Sequence, residues 1–138
     1  MVNIMIVGRF SGPPAPPVGG GSRKIAGGPL FHADEVLDCV RNGKVTAVTQ
    51  DCRDDLQKLE FDMDDLRELI EHALLHGKYK DSEWAQLNSR GTWAACDAYV
   101  VSREEYLPKI KKTKSVEYYL KFSMSDNGNV IFTVSCHT

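Results

Sequence analysis

The stretch SVEYYLKFSM, residues 115–124, has the composition of a β-strand, since it is rich in aromatic and branched residues. Successive side chains of a strand point to opposite faces of a sheet. One face therefore carries an apolar set suited to a core, namely Val116, Tyr118, Leu120 and Phe122. The other face carries Glu117, Tyr119 and Lys121. That polar row is either a solvated face, the commoner case in antiparallel sheets, or a working surface.

Two further segments predict strands around this one. WAACDAYVV (93–101) precedes it, and NVIFTVSC follows it across the loop SDNGN, whose Asn-Gly pair is typical of a hairpin turn. Alternation in the last segment predicts one face made of Val130, Phe132, Val134 and Cys136. The opposite face would carry Ile131, Thr133, Ser135 and His137.

The earlier part of the chain predicts helices. HADEVLDCVRNGKV has helical spacing of apolar residues and ends at Asn-Gly, and the short extended piece KVTAVT follows. Residues 51–59 predict a second helix with Asp51 well placed as its cap, and a stronger predicted helix spans about 63–76 between Asp62 and Gly77. Its expected buried stripe is Leu66, Leu69, Ile70, Ala73 and Leu74. Helices followed by a small antiparallel sheet indicate an α+β fold.

Residues 1–30 differ from the rest because they hold most of the prolines and glycines. Such a segment buries too little apolar surface to offset its ordering entropy, so we expect a flexible arm before a single domain at residues 31–138. The net charge of −2 does not indicate a nucleic-acid-binding protein, although it allows a local basic patch. No apolar run is long enough for a membrane span, so no membrane partner is expected.

The cysteines and histidines give no metal signature. The four cysteines lack CxxC spacing, which favours reduced thiols in a cytoplasmic protein. His72 and His76 are four residues apart, a spacing that suits a metal on one helix face, but no HExxH pattern or third ligand accompanies them. We therefore expect neither a metal nor a cofactor.

A cluster of positive charge lies in the segment LPKIKKTKS, between the first two predicted strands. It is either a solvated loop or a patch that steers phosphate groups towards the neighbouring row of Tyr119 and Lys121. The candidate RNA-binding residues here are Lys109, Lys111, Lys112 and Lys114.

The order of VRNGKV, LEFDMDDLRELIEHALLHGKYKDSEW, DAYVV and EYYLKFSMSDNGNVIFTVS resembles the MqsR toxins, which belong to the RelE-like superfamily of bacterial mRNA interferases. The resemblance covers about residues 34–138 and leaves the Pro/Gly arm outside. It implies N-terminal helices packed on a small antiparallel sheet. It also implies a ribosome-independent, metal-independent endoribonuclease that a cognate antitoxin protein neutralises.

The resemblance also assigns roles to residues. Tyr119 matches the active-site tyrosine of the family, and Lys121 beside it would stabilise negative charge on the phosphate. Gln86 stands where the family has a catalytic lysine, Cys96 where it has a glutamine, and His137 where it has a lysine near the end of the chain. His137 is either an acid–base group or a frayed terminal residue.

A shift of one or two residues in the alignment would instead make Lys80 or Arg90 the missing cation. Two functions from different classes remain. The first is an interferase with an altered set of catalytic residues. The second is a non-catalytic module that binds protein or RNA through the same sheet face and the lysine segment.

Overall fold

The structure is a computed structural model that describes residues 4–138. Within this range one sheet joins seven strands in the order β2-β4-β5-β6-β7-β3, with β1 beside β5. Among these strands, β1–β5 and β3–β7 pair in parallel and the other neighbours are antiparallel. In chain order the elements are β1 (Met5–Ile6), β2 (Lys24–Ile25), α1 (Ala33–Arg41), β3 (Val45–Ala47), α2 (Gln50–Leu59), α3 (Met63–His76), β4 (Lys78–Gln86), β5 (Thr92–Leu107), β6 (Lys112–Met124) and β7 (Ile131–His137).

The α+β class is confirmed, and the sheet is larger than the small one predicted. Strand β4 was not predicted, because its sequence KYKDSEWAQ is rich in charge and has few β-branched residues. It forms nonetheless because it pairs with β5 over almost its whole length. No helix between residues 4 and 138 is long and apolar enough to cross a membrane.

The helices begin and end for local reasons. At the start of α3 the Asp62 carboxylate accepts from the Asp65 backbone N–H at 2.8 Å, and the Asp65 side chain accepts from the Asp62 N–H at 2.9 Å, forming a capping box. The predicted cap of α2 is wrong by two residues. Thr49, not Asp51, is the cap, because its hydroxyl accepts from the Cys52 N–H at 3.0 Å.

The core lies between the helices and one face of the sheet. The α3 stripe is confirmed at four positions, whereas Leu74 is only partly buried. From β6, the predicted apolar face meets this core through Tyr118, Leu120 and Phe122, which are 0–3% exposed. Alternation along 115–124 therefore predicted correctly which side chains face the core.

The predicted face assignment of β7 is wrong because the strand contains a bulge. Lys121 pairs with Ser135, but Phe122 pairs with Thr133, so Val134 is an extra residue in β7. As a result Ile131 and Cys136 share the helix-covered core, while Val134 packs on the other face of the sheet. Period-two alternation cannot be carried across an extra residue.

The segment assigned to the arm contributes two strands to the sheet, so the predicted start of the folded part near Phe31 is corrected. Phe10 packs on Trp84 with ring centroids 5.9 Å apart, and the Trp84 indole N–H donates to the Pro14 carbonyl at 3.1 Å. Ile25 is 5% exposed in the same small cluster. Large aromatic side chains at the sheet edge supply the apolar partners that composition alone did not reveal. The flexibility of the arm stays a prediction.

Candidate functional site

Three predicted site residues meet on the sheet face that points away from the helix-covered core, which we call the polar face. Tyr119 lies opposite His137 in the β6–β7 ladder, and their rings stack with centroids 5.0 Å apart and planes at 20°. The Lys80 ammonium lies 5.0 Å from the centroid of the Tyr119 ring, a cation–π contact. Lys80 reaches the ring from the position where the β4–β5 register shifts, between Tyr79 and Asp81. We call Tyr119, His137 and Lys80 the Tyr119 cluster.

The Tyr119 hydroxyl is suited to donating a hydrogen bond. Burial raises the pKa of this phenol above its usual value; Glu83 and Asp81 add to the rise, and Lys121 opposes it. The phenol is therefore protonated at neutral pH. His137 is exposed, so the cluster is open to a ligand.

Lys121 lies next along the polar face and is held by a carboxylate. Its Nζ is 2.9 Å from Glu83 Oε1, and Glu83 Oε2 is 3.2 Å from Lys24 Nζ. Lys24 in turn pairs with Asp81 at 2.5 Å, so four charges form a chain along β2, β4 and β6. The Lys121 and Glu83 side chains are 16% and 18% exposed, which makes this the most buried ion pair among the described residues.

The ion pair fixes the charge of both partners. Burial, the largest single effect, acts to lower the pKa of Lys121, but the hydrogen bond to Glu83 and the electrostatic effects of Tyr119 and Glu83 together outweigh it and raise that pKa above 10.5. For Glu83, burial acts to raise the pKa, but the hydrogen bonds from Lys121 and Lys24 lower it below 4.5. Lys121 is thus a cation at neutral pH whose charge is largely offset by its partner.

Gln86 lies away from Tyr119, in a cleft of about 330 Å³ that Lys121 also lines. We call it the Lys121 cleft. Arg23 reaches this cleft from the N-terminal segment, and its guanidinium carbon lies 5.1 Å from the centroid of the Trp93 ring. The lining residues are Arg23, Thr49, Gln50, Asp51, Ala85, Gln86, Leu87, Asn88, Lys121, Val134 and Ser135.

Arg90 lines a second, larger cleft of about 510 Å³. Its floor is apolar, and a second arginine, Arg53, lies at its rim. Arg90 therefore does not join the Tyr119 cluster, although its cleft adjoins the Lys121 cleft through Gln50, Leu87 and Asn88.

The predicted lysine loop is the tip of the β5–β6 hairpin, and its expected place next to Tyr119 is wrong. Pro108–Lys111 form the turn, whereas Lys112 and Lys114 belong to β6. At about 3.4 Å per residue, Lys114 is roughly 17 Å along the strand from Tyr119. The β5–β6 register is continuous, so Lys112 and Lys114 share the face of Tyr118 and not that of Tyr119. The two strands extend well past the rest of the sheet, which sequence alone did not indicate.

Cys96 carries a buried thiol and therefore lacks the hydrogen-bonding amide that a glutamine at this position would supply. Cys96 is 0% exposed beneath the polar face, and burial raises its pKa to about 12. Such a thiol is inert as a nucleophile. Within residues 4–138 no group of three or more His, Cys, Asp or Glu side chains could hold a metal ion. The prediction of metal-free chemistry remains a prediction.

Sequence reasoning missed three charged residues of the site: Glu83, Lys24 and Arg23. The alternation of β4 would have placed Glu83 on one face with Asp81, had that segment been recognised as a strand. Lys24 and Arg23 carried no usable signal, because their segment reads as Pro/Gly-rich arm.

A scan against protein-family models and searches of curated proteins and of solved structures gave no match for this chain. The chemistry of the polar face is therefore what the structure offers as support for a function. The polar face brings a phenol, an imidazole and two ammonium groups to one surface. These are groups that bind phosphate and transfer protons.

Proposed function

We propose that the chain is a metal-independent endoribonuclease that cleaves mRNA at the Tyr119 cluster, and that it acts as the toxin of a toxin–antitoxin pair. The observation that carries this proposal is the contact of the Tyr119 ring with both His137 and Lys80 on an open sheet face. A solvated strand face needs no such convergence, and each of the three side chains has a role in RNA cleavage.

In cleavage without a metal, the 2′-hydroxyl of the RNA loses its proton and its oxygen attacks the adjacent phosphorus to form a 2′,3′-cyclic phosphate. The bond from phosphorus to the 5′-oxygen breaks, and the 5′-oxygen takes up a proton to leave as a hydroxyl. The protein must align these atoms, remove the proton and stabilise charge on the phosphoryl oxygens. A histidine side chain can take the 2′-hydroxyl proton near neutral pH, and His137 is exposed enough to reach it. The protonated phenol of Tyr119 donates a hydrogen bond to a phosphoryl oxygen, and Lys80 supplies positive charge.

Lys121 and Gln86 support binding of the RNA strand in the cleft that extends away from the Tyr119 cluster. Lys121 lines the adjoining cleft, where Gln86 offers an exposed amide without a protein partner among the described residues. The resemblance of residues 34–138 to the MqsR toxins supports a RelE-like arrangement and a cognate antitoxin as protein partner. The hairpin lysines, of which Lys114 is nearest at about 17 Å along the strand from Tyr119, would act by steering RNA at long range.

The second candidate is a non-catalytic module that binds RNA or protein on the same face. The ion pair between Lys121 and Glu83 favours it, because a cation already offset by a carboxylate gives less stabilisation to a phosphoryl charge. The uncharged Gln86 at the position of a family lysine points the same way.

The direct test is cleavage of a mixed-sequence RNA in EDTA by the wild-type chain and by Tyr119→Phe. Loss of one positioned proton donor should slow cleavage by about 10²–10⁴-fold. Tyr106→Phe is the matched control, because Tyr106 is 58% exposed near the hairpin tip. This variant should cleave RNA at the wild-type rate. If the wild-type chain leaves the RNA intact at high protein concentration, the enzymatic function is wrong and the non-catalytic binding module is the better proposal. Equal rates for both variants would remove Tyr119 from the mechanism.

The toxin role has its own test in cells. Expression of the chain alone should arrest growth, and co-expression of the protein encoded by the neighbouring gene should restore it. Tyr119→Phe should relieve the arrest without lowering the amount of protein. Normal growth with wild-type protein at high level would contradict a toxin role while leaving RNA cleavage in vitro to be judged separately.

A further inference from the structure

The Lys121 cleft and the second cleft lie side by side, since they share Gln50, Leu87 and Asn88 in their walls, and we call the two together the groove. The groove starts beside the Tyr119 cluster, because Lys121 follows Tyr119 by two residues on the same face of β6. It ends at Phe132 and Arg90. His137 and Phe132 pair with Tyr119 and Ser123, so the strand advances by four residues of β6, or about 14 Å, which spans about four nucleotides of a stacked strand at about 3.4 Å each.

The far end of this groove combines apolar and cationic groups. Phe132 is half-buried in a floor completed by Val7, Val48 and Leu87. Arg53 and Arg90 are both exposed at the rim, and no acidic residue lines this cleft. Neither arginine forms an ion pair with any other residue between 4 and 138.

The two arginines are prepared differently for an anion. Arg53 donates to the Ala47 carbonyl and to Gln50 Oε1, both at 3.2 Å, and these bonds hold its guanidinium at the rim. Arg90 makes no side-chain hydrogen bond to any described residue, so its donors are open to a ligand. At the near end, Arg23 adds a further cation.

Cations spaced along a groove with an aromatic and apolar floor match the chemistry of single-stranded nucleic acid, whose phosphates pair with the cations while its bases stack. We infer that this groove binds the single strand of RNA that continues from the cleavage point, with one base against Phe132 and its phosphates paired with Arg90 and Arg53. The inference rests on the proposed RNA-cleaving function and adds that the substrate must be unpaired. A duplex keeps its bases stacked inside and cannot place one in the cleft.

The test measures binding of fluorescent RNA by anisotropy, in EDTA, with 2′-O-methyl RNA that cannot be cleaved. The probes are a dinucleotide, a hexanucleotide and the hexanucleotide annealed to its complement. Arg90→Ala should weaken hexanucleotide binding about three- to tenfold and reduce the slope of log K against log salt by about 0.7, the value for one phosphate on a single strand. Phe132→Leu keeps apolar bulk but removes the ring, and should weaken binding about five- to tenfold, within the range for loss of a base stack.

Two comparisons make the result specific. Arg41→Ala is the matched control, because Arg41 is exposed at the end of α1 and pairs with Glu71; it should bind RNA as the wild type does. Dinucleotide binding should be unchanged in all three variants, since a dinucleotide does not span the groove. The thermal midpoint of Phe132→Leu separates a folding defect from a binding defect. Arg90 is exposed, so Arg90→Ala tests RNA binding without a change in the core.

The inference is overturned if Arg90→Ala and Phe132→Leu bind the hexanucleotide as the wild type does, if the duplex binds as tightly as the single strand, or if no probe binds. Cleavage is judged separately. A chain that cleaves RNA but fails these comparisons keeps its proposed function and loses the groove. A chain that cannot cleave RNA but shows the expected losses keeps the groove and becomes a single-strand-binding module.

Discussion

Glu83→Gln removes the charge that holds Lys121 while keeping almost the same shape. Glu83 accepts from Lys121 at 2.9 Å and from Lys24 at 3.2 Å, and the Glu83 and Lys121 side chains are less than one-fifth exposed. Breaking one partner of a fully buried pair costs about 3–5 kcal/mol, whereas exposed pairs contribute about 0–1 kcal/mol. For this intermediate burial, and with an amide still able to accept one hydrogen bond, we expect a loss of about 2 kcal/mol at pH 7.

The loss should depend on pH in a defined way. The pKa of Glu83 is lowered in the folded state, so its contribution is fully present above the ordinary value of 4.5 and disappears as pH falls through the lower folded value. The pKa of Lys121 is raised, so its contribution is present below 10.5 and disappears as pH rises above that. The difference in stability between wild type and Glu83→Gln should therefore be greatest between about pH 5 and 10, and should shrink below about pH 4.5.

The assay is urea unfolding followed by the fluorescence of Trp84 and Trp93, which are 1% and 4% exposed. In a chain of this size, about 2 kcal/mol corresponds to roughly 6–10 °C in thermal midpoint. Glu71→Gln is the control, because Glu71 pairs with Arg41 at 3.5 Å on the surface and should cost less than about 0.5 kcal/mol. The coupling of Lys121 to a carboxylate is refuted if Glu83→Gln lowers the unfolding free energy no more than Glu71→Gln does. It is also refuted if the loss stays the same below about pH 4.5.

Three other outcomes follow from the structure. Tyr118→Ala should cost about 3–5 kcal/mol in unfolding free energy because this side chain is 3% exposed in the core, whereas Tyr119→Phe should leave the urea midpoint nearly unchanged. Reversing the charges of Lys111 and Lys112 to Glu should slow RNA association at low salt, and an equal rate for both proteins would show that the hairpin tip does not steer RNA. Deleting residues 1–22 should lower the thermal midpoint by several degrees, because it exposes the small apolar cluster at the sheet edge. An unchanged thermal midpoint would show that these residues form a free arm.

Local rules accounted for much of the fold. Helical spacing identified α3 and four of the five residues in its buried stripe, because a 3.6-residue period is a property of the segment itself. The Asp62 cap is equally local, since its partner lies three residues away. Alternation along β6 separated Tyr118 in the core from Tyr119 on the polar face without knowledge of any neighbour.

The same rules failed wherever a distant segment changed the local pattern. The bulge at Val134 shifts half of β7 to the opposite face, and a bulge is set by pairing with β6. Strand β4 exists because β5 supplies its hydrogen-bonding partners, which outweighs its poor strand composition. The Pro/Gly segment forms strands because Trp84 and Trp93 provide apolar surface that composition analysis of that segment could not include.

The sequence by itself therefore determined the α+β class, the helix positions and the identity of Tyr119, Lys121 and His137 as candidates. Only the tertiary structure decided which of them meet. Strand register placed Tyr119 against His137, and the packing of β4 brought Lys80 to the same ring and Glu83 to Lys121, 38 residues away. Contacts between residues so far apart in the chain depend on the relative position of whole strands, which no periodicity within a single segment encodes.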